Sequence, residues 1–468
     1  MKNNNFDLIV IGAGSGGLNI AGFMNKAGFK VLLIDKKDES IGGDCLNFGC
    51  VPSKAMIHVA RGIFSARGMN DFGVRVSGRV DMKKIKEYIK AKQSIIREHE
   101  NANYFRSIGM TVILGDAHFV SGNEVSVGNK IYKAKKIVIA TGSRPRRLSV
   151  EGTDGVLVYS NENIFDIEEL PKKLLIIGGG PIGIEIGQAF NHLGSKVFVI
   201  QNSDVILGKE DREISGILLA HLRSEGMTFH LNSNIVRFIS SNEVLVEEGG
   251  VESKIQFNAV FAAVGRELNT GDLGIEKAGI EMDGKKIKVD EYLRTTNKNV
   301  YLCGDVVGQH QFTHAAELHA GVILKNLFSP FKRKLNTDHL SWVTYTNPEV
   351  ATFGLNQEEL KKRGIRYEIL ESDFTDDDRS IVDNFTLGKV KLFVSGGVLM
   401  GGTMIARNAG ELFQELVLAQ SSGLGIKEIF NKIYPYPTAS RINKKVITKF
   451  FAGKLTPFNK ILLRFLYH

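Results

Sequence analysis

Cysteine is nearly absent: Cys45, Cys50 and Cys303 are the three in 468 residues. So few cannot staple a secreted disulfide scaffold, and two of them lie five residues apart, which reads as a local reactive pair in a reducing compartment. Proline is scarce too, with 9 residues against 50 glycines. That balance excludes a proline-rich disordered chain and a collagen-like one, and favours a glycine-rich α/β protein with many close backbone approaches. No apolar run reaches the ~18 residues that a bilayer-spanning helix needs. The Asn-rich start runs at once into the apolar stretch Phe6 to Val10 and a glycine loop, which does not read as a signal peptide, so a cytoplasmic location is expected. At roughly 150 residues per domain, the length leaves room for about three domains.

Acidic residues are missing from one segment. The chain carries a formal charge of +9, and residues 441–468 hold Arg441, Lys444, Lys445, Lys449, Lys454, Lys460 and Arg464 with no Asp or Glu. The remaining body is close to neutral, which argues against a nucleic-acid footprint spread over it. Helical spacing in this tail puts Ile442, Val446, Ile447 and Phe450 on one face and Lys444, Lys445 and Lys449 on another. After a break from Gly453 to Pro457, Thr456 can cap and Pro457 can start a second helix with Phe458, Ile461, Leu462 and Phe465 aligned. Two readings stand open: a basic amphipathic anchor at the inner face of a membrane, or stripes packed into an oligomer core.

Residues 6 to 35 read FDLIVIGAGSGGLNIAGFMNKAGFKVLLID. An apolar strand leads into Gly12-x-Gly14-x-x-Gly17, an amphipathic helix, a second apolar strand and then Asp35. The first glycine makes the tight turn, the second admits a pyrophosphate to the backbone, and the third lets helix pack on strand, with the helix N-terminus stabilising the phosphate. Asp35 would take the adenosine ribose hydroxyls. The unit recurs at 174 to 201, LLIIGGGPIGIEIGQAFNHLGSKVFVIQ, with Gly178, Gly180 and Gly183. Gln201 lies 23 positions after its first glycine, as Asp35 does after Gly12. Two such units imply two dinucleotides and an enzyme that moves electrons between them. Gln201 offers no carboxylate to repel a 2′-phosphate, and no base stands nearby before Lys209, so the choice between NADH and NADPH stays open with a slight lean to NADH.

Between the units, residues 42 to 54 read GGDCLNFGCVPSK. A C-x-x-x-x-C pair after a Gly-Gly turn, leading into a helical run from Lys54, would sit at a helix start, where the partial positive charge favours thiolate. The spacing fits neither a thioredoxin-like motif nor a zinc ribbon, and no metal site is expected. Cys303, in VYLCGDV, reads as a small buried residue.

At GG-x-C-L-N-x-G-C-x-P-S-K the chain resembles, over essentially its whole length, the class I pyridine nucleotide-disulfide oxidoreductases, a family that includes glutathione reductase, dihydrolipoamide dehydrogenase and mercuric reductase. The resemblance implies an α/β fold with two Rossmann-type domains for FAD and NAD(P)H and an α+β C-terminal dimerisation domain, assembled as a homodimer. The implied intervals are 1–150 and 271–337 for FAD, 151–270 for NAD(P)H, 338–440 for dimerisation and 441–468 for the tail. It also implies that Cys50 is the charge-transfer thiol facing flavin and Cys45 the interchange thiol. Lys54 and Glu185 would pair beside the flavin. Thr141, Gly142, Asp305 and His314 would line the FAD site, and Gly265 and Arg266 would close the NAD(P)H site. For His314, a helix-start histidine satisfied by backbone is an equal alternative.

The resemblance fails at one place. Disulfide-reducing members carry H-P-T-x-x-E, whose histidine serves the partner subunit as acid and base; here the segment is Tyr436, Pro437, Thr438, Ala439, Ser440, Arg441. A phenol, ordinarily near pKa 10, cannot shuttle protons at neutral pH as an imidazole does, and an arginine cannot orient it as a glutamate would. Mercuric reductase has tyrosine there as well, together with a second cysteine pair that receives the metal, and no cysteine follows Cys303 in this sequence. The expected reaction is hydride transfer from NAD(P)H through FAD to Cys45 and Cys50, then to an acceptor that the residues leave open: a small molecule, a metal ion or a quinone. Direct reduction of quinone or metal ions by the flavin of a membrane-peripheral diaphorase, and a non-enzymatic redox sensor, are the alternatives.

Overall fold

The computed structural model describes residues 4–453 and 455–467. Met1 to Asn3, Lys454 and His468 lie outside the described residues, and with them the Lys454 charge of the tail and the outer ends of the intervals 1–150 and 441–468. The chain packs into two compact units: Met1–Gly178, Ala189–Phe198 and Asn234–Leu335 form the first, and Gly179–Gln188, Val199–Ser233 and Asn336–His468 the second.

In unit one the strands are β1 (Asn5–Ile11), β2 (Val31–Asp35), β3 (Thr111–Leu114), β4 (Ala117–Ser121), β5 (Glu124–Val127) and β6 (Lys130–Ile139), with α1 (Ser15–Lys26) joining the first two. The sheet runs β3-β2-β1-β6-β5-β4, and the strand Val300–Leu302 also pairs β6. Central β1 is parallel to both neighbours, Leu8 standing opposite Val31 and Lys136. A strand covered on both faces must be apolar throughout, and Leu8, Ile9 and Val10 are fully buried. Each such side chain stabilises the fold by about 1.5–3 kcal/mol, so a charge at Ile9 would break the sheet. Gly12 ends β1 at φ +104°, and any Cβ there would collide with the Ala140 carbonyl at the end of β6. The device recurs in Lys173–Ile177, paired in parallel with Ala259–Ala262, where Gly178 at φ +105° would collide with the Ala263 carbonyl.

Unit two is built on an antiparallel sheet in the order Ser341–Thr344, Glu349–Gly354, Val398–Ala406, Lys389–Ser395 and Glu368–Asp373. Its core joins Val390, Leu392, Met404, Phe413 and Leu416 to Ile442, Val446 and Ile447. The first tail stripe therefore lies in the core of its own unit, a place that neither the membrane reading nor the oligomer-core reading named. On the other face of the helix Arg441–Gly453, Lys444, Lys445 and Lys449 donate to the carbonyls of Lys432, Asp376 and Glu371. The second tail helix, Pro457–Leu466, buries none of its residues. Polar bonds tie the segments 179–188 and 199–233 to this sheet and its connections. Gln188 accepts from the Asn347 N–H at 2.7 Å and donates to its carbonyl at 2.8 Å, while buried Lys391 reaches Asp211 at 2.8 Å. Glu210 accepts from the Trp342 indole at 2.5 Å and from Thr352, and burial raises its pKa.

Candidate active site

The first glycine loop is shaped by what it must admit. Asp35 Oδ2, at the end of β2, accepts from the Ala13 N–H at 2.6 Å and Oδ1 from the Lys36 N–H at 2.7 Å, which fastens the turn; burial raises the carboxyl's pKa and these bonds oppose it. Gly17 lies so close to Gly12 that a Cβ would collide with the Gly12 carbonyl, and a Cβ on Gly43 would stand 2.7 Å from Gly14 Cα. These glycines leave a cradle of bare backbone at the start of α1 that fits the pyrophosphate of a dinucleotide.

The thiols follow at once. Cys45 sits within the short helix Gly43–Asn47, and Cys50 is the first residue of the 18-residue helix Cys50–Arg67, so only Cys50 stands at a long helix's positive end. A hydrogen bond with the Cys50 thiol, then burial, pushes the Cys45 thiol's pKa up. Both causes favour the protonated form of Cys45, and the helix start favours a thiolate at Cys50. Thr313, which sequence reasoning passed over in favour of its neighbour His314, brings Oγ1 to 3.6 Å from Cys50 Sγ. Its position at the start of the helix Thr313–Phe328 was the available signal. His314 stacks on Phe312, centroids 5.3 Å apart. His319, unremarked in the sequence, is fully buried and accepts at Nδ1 from the Gly304 N–H at 3.2 Å, and burial lowers its pKa to about 4. Cys303 is buried against Gly16 and the Ala316 carbonyl, its pKa raised to about 12 by burial.

A polar ring surrounds the second half of the unit-one site. Asp305 accepts from the Ser143 hydroxyl at 2.6 Å, Arg266 Nε donates to that hydroxyl at 2.7 Å, and the guanidinium approaches Asp44 at 3.4 Å. Burial raises the Asp305 pKa; Ser143 and Arg266 counter it. Arg266, expected on the nicotinamide side, thus stands among residues expected on the FAD side, and Asp44 is a member that no sequence pattern singled out. Thr141 Oγ1 donates to the Asn269 carbonyl at 2.6 Å, and Gly142 accepts from the Asn269 N–H at 3.0 Å, so the strand Ser143–Pro145 pairs with Arg266–Leu268. Gly265, at φ +103°, accepts from the Arg146 N–H at 3.0 Å. Lys54 lies in the first turns of the Cys50 helix.

In unit two, Gln201 Oε1 accepts from the Gly179 N–H at 2.8 Å and Nε2 donates to Ser203 at 2.6 Å. Open space surrounds Gly180 at the start of the helix Pro181–Leu193, which carries Gly183 and the buried Glu185. Glu185 Oε1 accepts from the Tyr345 N–H at 2.8 Å. Exposed Tyr436 lies under the Arg441 guanidinium, 5.2 Å from ring centroid to Cζ.

Comparison with known proteins agrees with this arrangement. Residues 6–320 match the pyridine nucleotide-disulphide oxidoreductase family and residues 340–446 its dimerisation domain. Mercuric reductase of Staphylococcus aureus is 30% identical over 93% of this chain and 81% of its own length, and dihydrolipoyl dehydrogenase of Mycoplasma genitalium 31% identical over 96% of this chain and 100% of its own. Among solved structures, the HOCl-induced flavoprotein disulfide reductase RclA from Escherichia coli superposes with a TM-score of 0.84 at 25% identity, covering 95% of this chain and 99% of that one; RclA has also been solved as a Cu(II) complex. Members of the family use FAD and NAD(P)H, and the dimerisation domain supports a homodimer. Among the described residues no helix is long and apolar enough to cross a membrane. The paired thiols, the two glycine cradles and the α/β frame that holds them are those of an enzyme, and the chain belongs to the pyridine nucleotide-disulfide oxidoreductase family.

Proposed function

We propose that the enzyme carries electrons from NAD(P)H by way of bound FAD to Cys45 and Cys50, and delivers them to a thiophilic metal ion rather than to an organic disulfide. Gly12, Gly14, Gly17 and Asp35 would hold the adenosine half of FAD, with Lys54, Thr141, Gly142, Asp305 and His314 along the rest. Gly178, Gly180, Gly183, Gln201 and Gly265 would receive NAD(P)H, and Arg266 would brace Ser143 and Asp305 on the FAD side. When bound, FAD supplies the two-electron relay between nicotinamide and thiol. The helix start favours the thiolate at Cys50, beside which Thr313 stands, Cys45 holds the proton, and the Tyr345 N–H orients Glu185.

The observation that carries the metal reading is the Arg441 guanidinium over the Tyr436 ring, 5.2 Å away. Cleaving an organic disulfide releases a thiolate that a nearby acid must protonate, and general acid-base catalysis of that kind contributes ~10² to 10⁴ in rate. A metal ion needs no such proton. The Cys50 thiolate and the Cys45 thiol together give up two electrons and the one proton held at Cys45 and close a disulfide, while two Cu(II) ions leave as Cu(I). The relatives support this choice: one acts on mercuric ion and another binds Cu(II). A second reading, reduction of a lipid-soluble quinone, is favoured by the bare apolar helix Pro457–Leu466.

Oxidation of NADH and NADPH by the purified enzyme is to be followed with Cu(II), glutathione disulfide, lipoamide and a soluble quinone. Turnover with Cu(II) that disappears in Cys45→Ser is expected, with both disulfides slow. Disulfide turnover at the rate of flavin reduction sinks the metal reading. Quinone turnover that survives Cys45→Ser, without Cu(II) turnover, selects the second.

A further inference from the structure

Among the described residues, the helix Pro457–Leu466 carries a contiguous apolar surface that nothing in the fold covers. Thr456 caps it by accepting from the Asn459 N–H at 3.2 Å, and Pro457 occupies its first turn, so it is a well-started helix. Its apolar side chains nonetheless meet solvent: Phe458 is 73% exposed, Ile461 66% and Phe465 81%, with Leu462 and Leu466 also exposed. At 100° per residue these five fall on one arc, and Lys460 and Arg464 fall on the opposite one. A stripe of this kind in water is a cost that something must cover.

We propose that this helix lies in the interface of an anionic lipid bilayer, with Phe458, Ile461, Leu462, Phe465 and Leu466 inserted and Lys460 and Arg464 reaching the headgroups. Charge complementarity favours lipid: no acidic residue follows Glu428 in the sequence, and both bases of the helix stand on its polar face. A second copy of the helix covers the face poorly. Ten residues make a patch only about 15 Å long, too small by itself for a stable dimer contact, and self-pairing gathers four cations. The preceding helix Arg441–Gly453 cannot share the role, because Ile442, Val446 and Ile447 are in the core and its lysines are bonded to carbonyls. The anchor is independent of the acceptor, and lipid binding and turnover are read separately.

The test is co-sedimentation of the full chain with vesicles of phosphatidylcholine alone and of phosphatidylcholine with phosphatidylserine, at low and high salt. Binding to the anionic vesicles that weakens about tenfold or more at high salt is expected, as two exposed bases imply. Phe458→Ser with Phe465→Ser should abolish it, and Lys460→Gln with Arg464→Gln should remove most of its salt dependence, both without loss of NADH-driven flavin reduction. The proposal is overturned if the full chain ignores anionic vesicles at low salt. Binding that persists unchanged in both double variants also overturns it, as does a phenylalanine variant that changes the mass in solution without vesicles, which assigns the face to a second copy.

Discussion

At the first glycine fingerprint the Ala13 N–H donates to a carboxylate, Asp35, at 2.6 Å; at the second, the Gly179 N–H donates to an amide, Gln201, at 2.8 Å. The structural task is the same in both: an oxygen at the end of the second strand closes the glycine turn. What is left over differs. Asp35 has a second oxygen that takes the Lys36 N–H and a charge that burial opposes, whereas the Gln201 Nε2 ties down Ser203 and carries no charge. The turn thus needs an acceptor and is indifferent to its charge, which leaves charge available to sort ligands.

The largest test breaks both turns alike. Gly12→Ala and Gly178→Ala each force a Cβ onto a carbonyl at positive φ, and each should cost about 3 kcal/mol or more in urea unfolding. Only Gly12→Ala should also strip the yellow flavin from whatever protein remains folded. Equal flavin loss in both variants would erase the distinction between the two cradles.

The next separates them by pH. His319, on the Gly304 backbone of unit one, has a folded pKa near 4, below the ordinary value of 6.5. The unfolded chain therefore takes up the proton first, so the stability is complete above pH 6.5 and falls as pH drops toward 4, by about 3 kcal/mol in all. His319→Gln should flatten thermal unfolding over that window, and an unchanged pH profile in the variant would remove His319 from the account.

Asp35→Leu and Gln201→Leu sharpen the contrast. The first should weaken flavin binding by about tenfold to a hundredfold, the value of a hydrogen bond to a charged group, as read by flavin retained on dialysis. The second should leave flavin bound and raise KM for the nicotinamide. The smallest effect is Gln201→Glu, which keeps an oxygen for the Gly179 N–H and adds a charge that repels a 2′-phosphate. A shift toward NADH of about tenfold in kcat/KM is expected, with no change in flavin content. A native enzyme already strict for NADPH would contradict the neutral site.

Much of this was legible because it is local. The strand, glycine turn, helix and second strand of each fingerprint are written in consecutive residues, and both were found where the spacing put them. The start of the Cys50 helix and the Thr456 cap were equally plain. The tail shows the limit of such reading. Two stripes of like periodicity and charge met opposite fates, one in the core and one in solvent, since periodicity states that a face is apolar and not what covers it. The mark of the Tyr436 segment, in turn, was the type of residue present, and stacking of Arg441 on the ring became visible only in three dimensions.

By itself, the sequence determined the two dinucleotide cradles, the reactive thiol pair and the family, because these depend on backbone sterics and spacing over a few residues. Tertiary structure alone decided that Thr313 stands at Cys50 across 263 positions of chain, that Arg266 gathers Asp44, Ser143 and Asp305, and that His319 is buried on Gly304. Those contacts join residues with no shared local pattern. They arise only when the parallel strands and their helices are packed, and burial then shifts the protons of the groups they enclose.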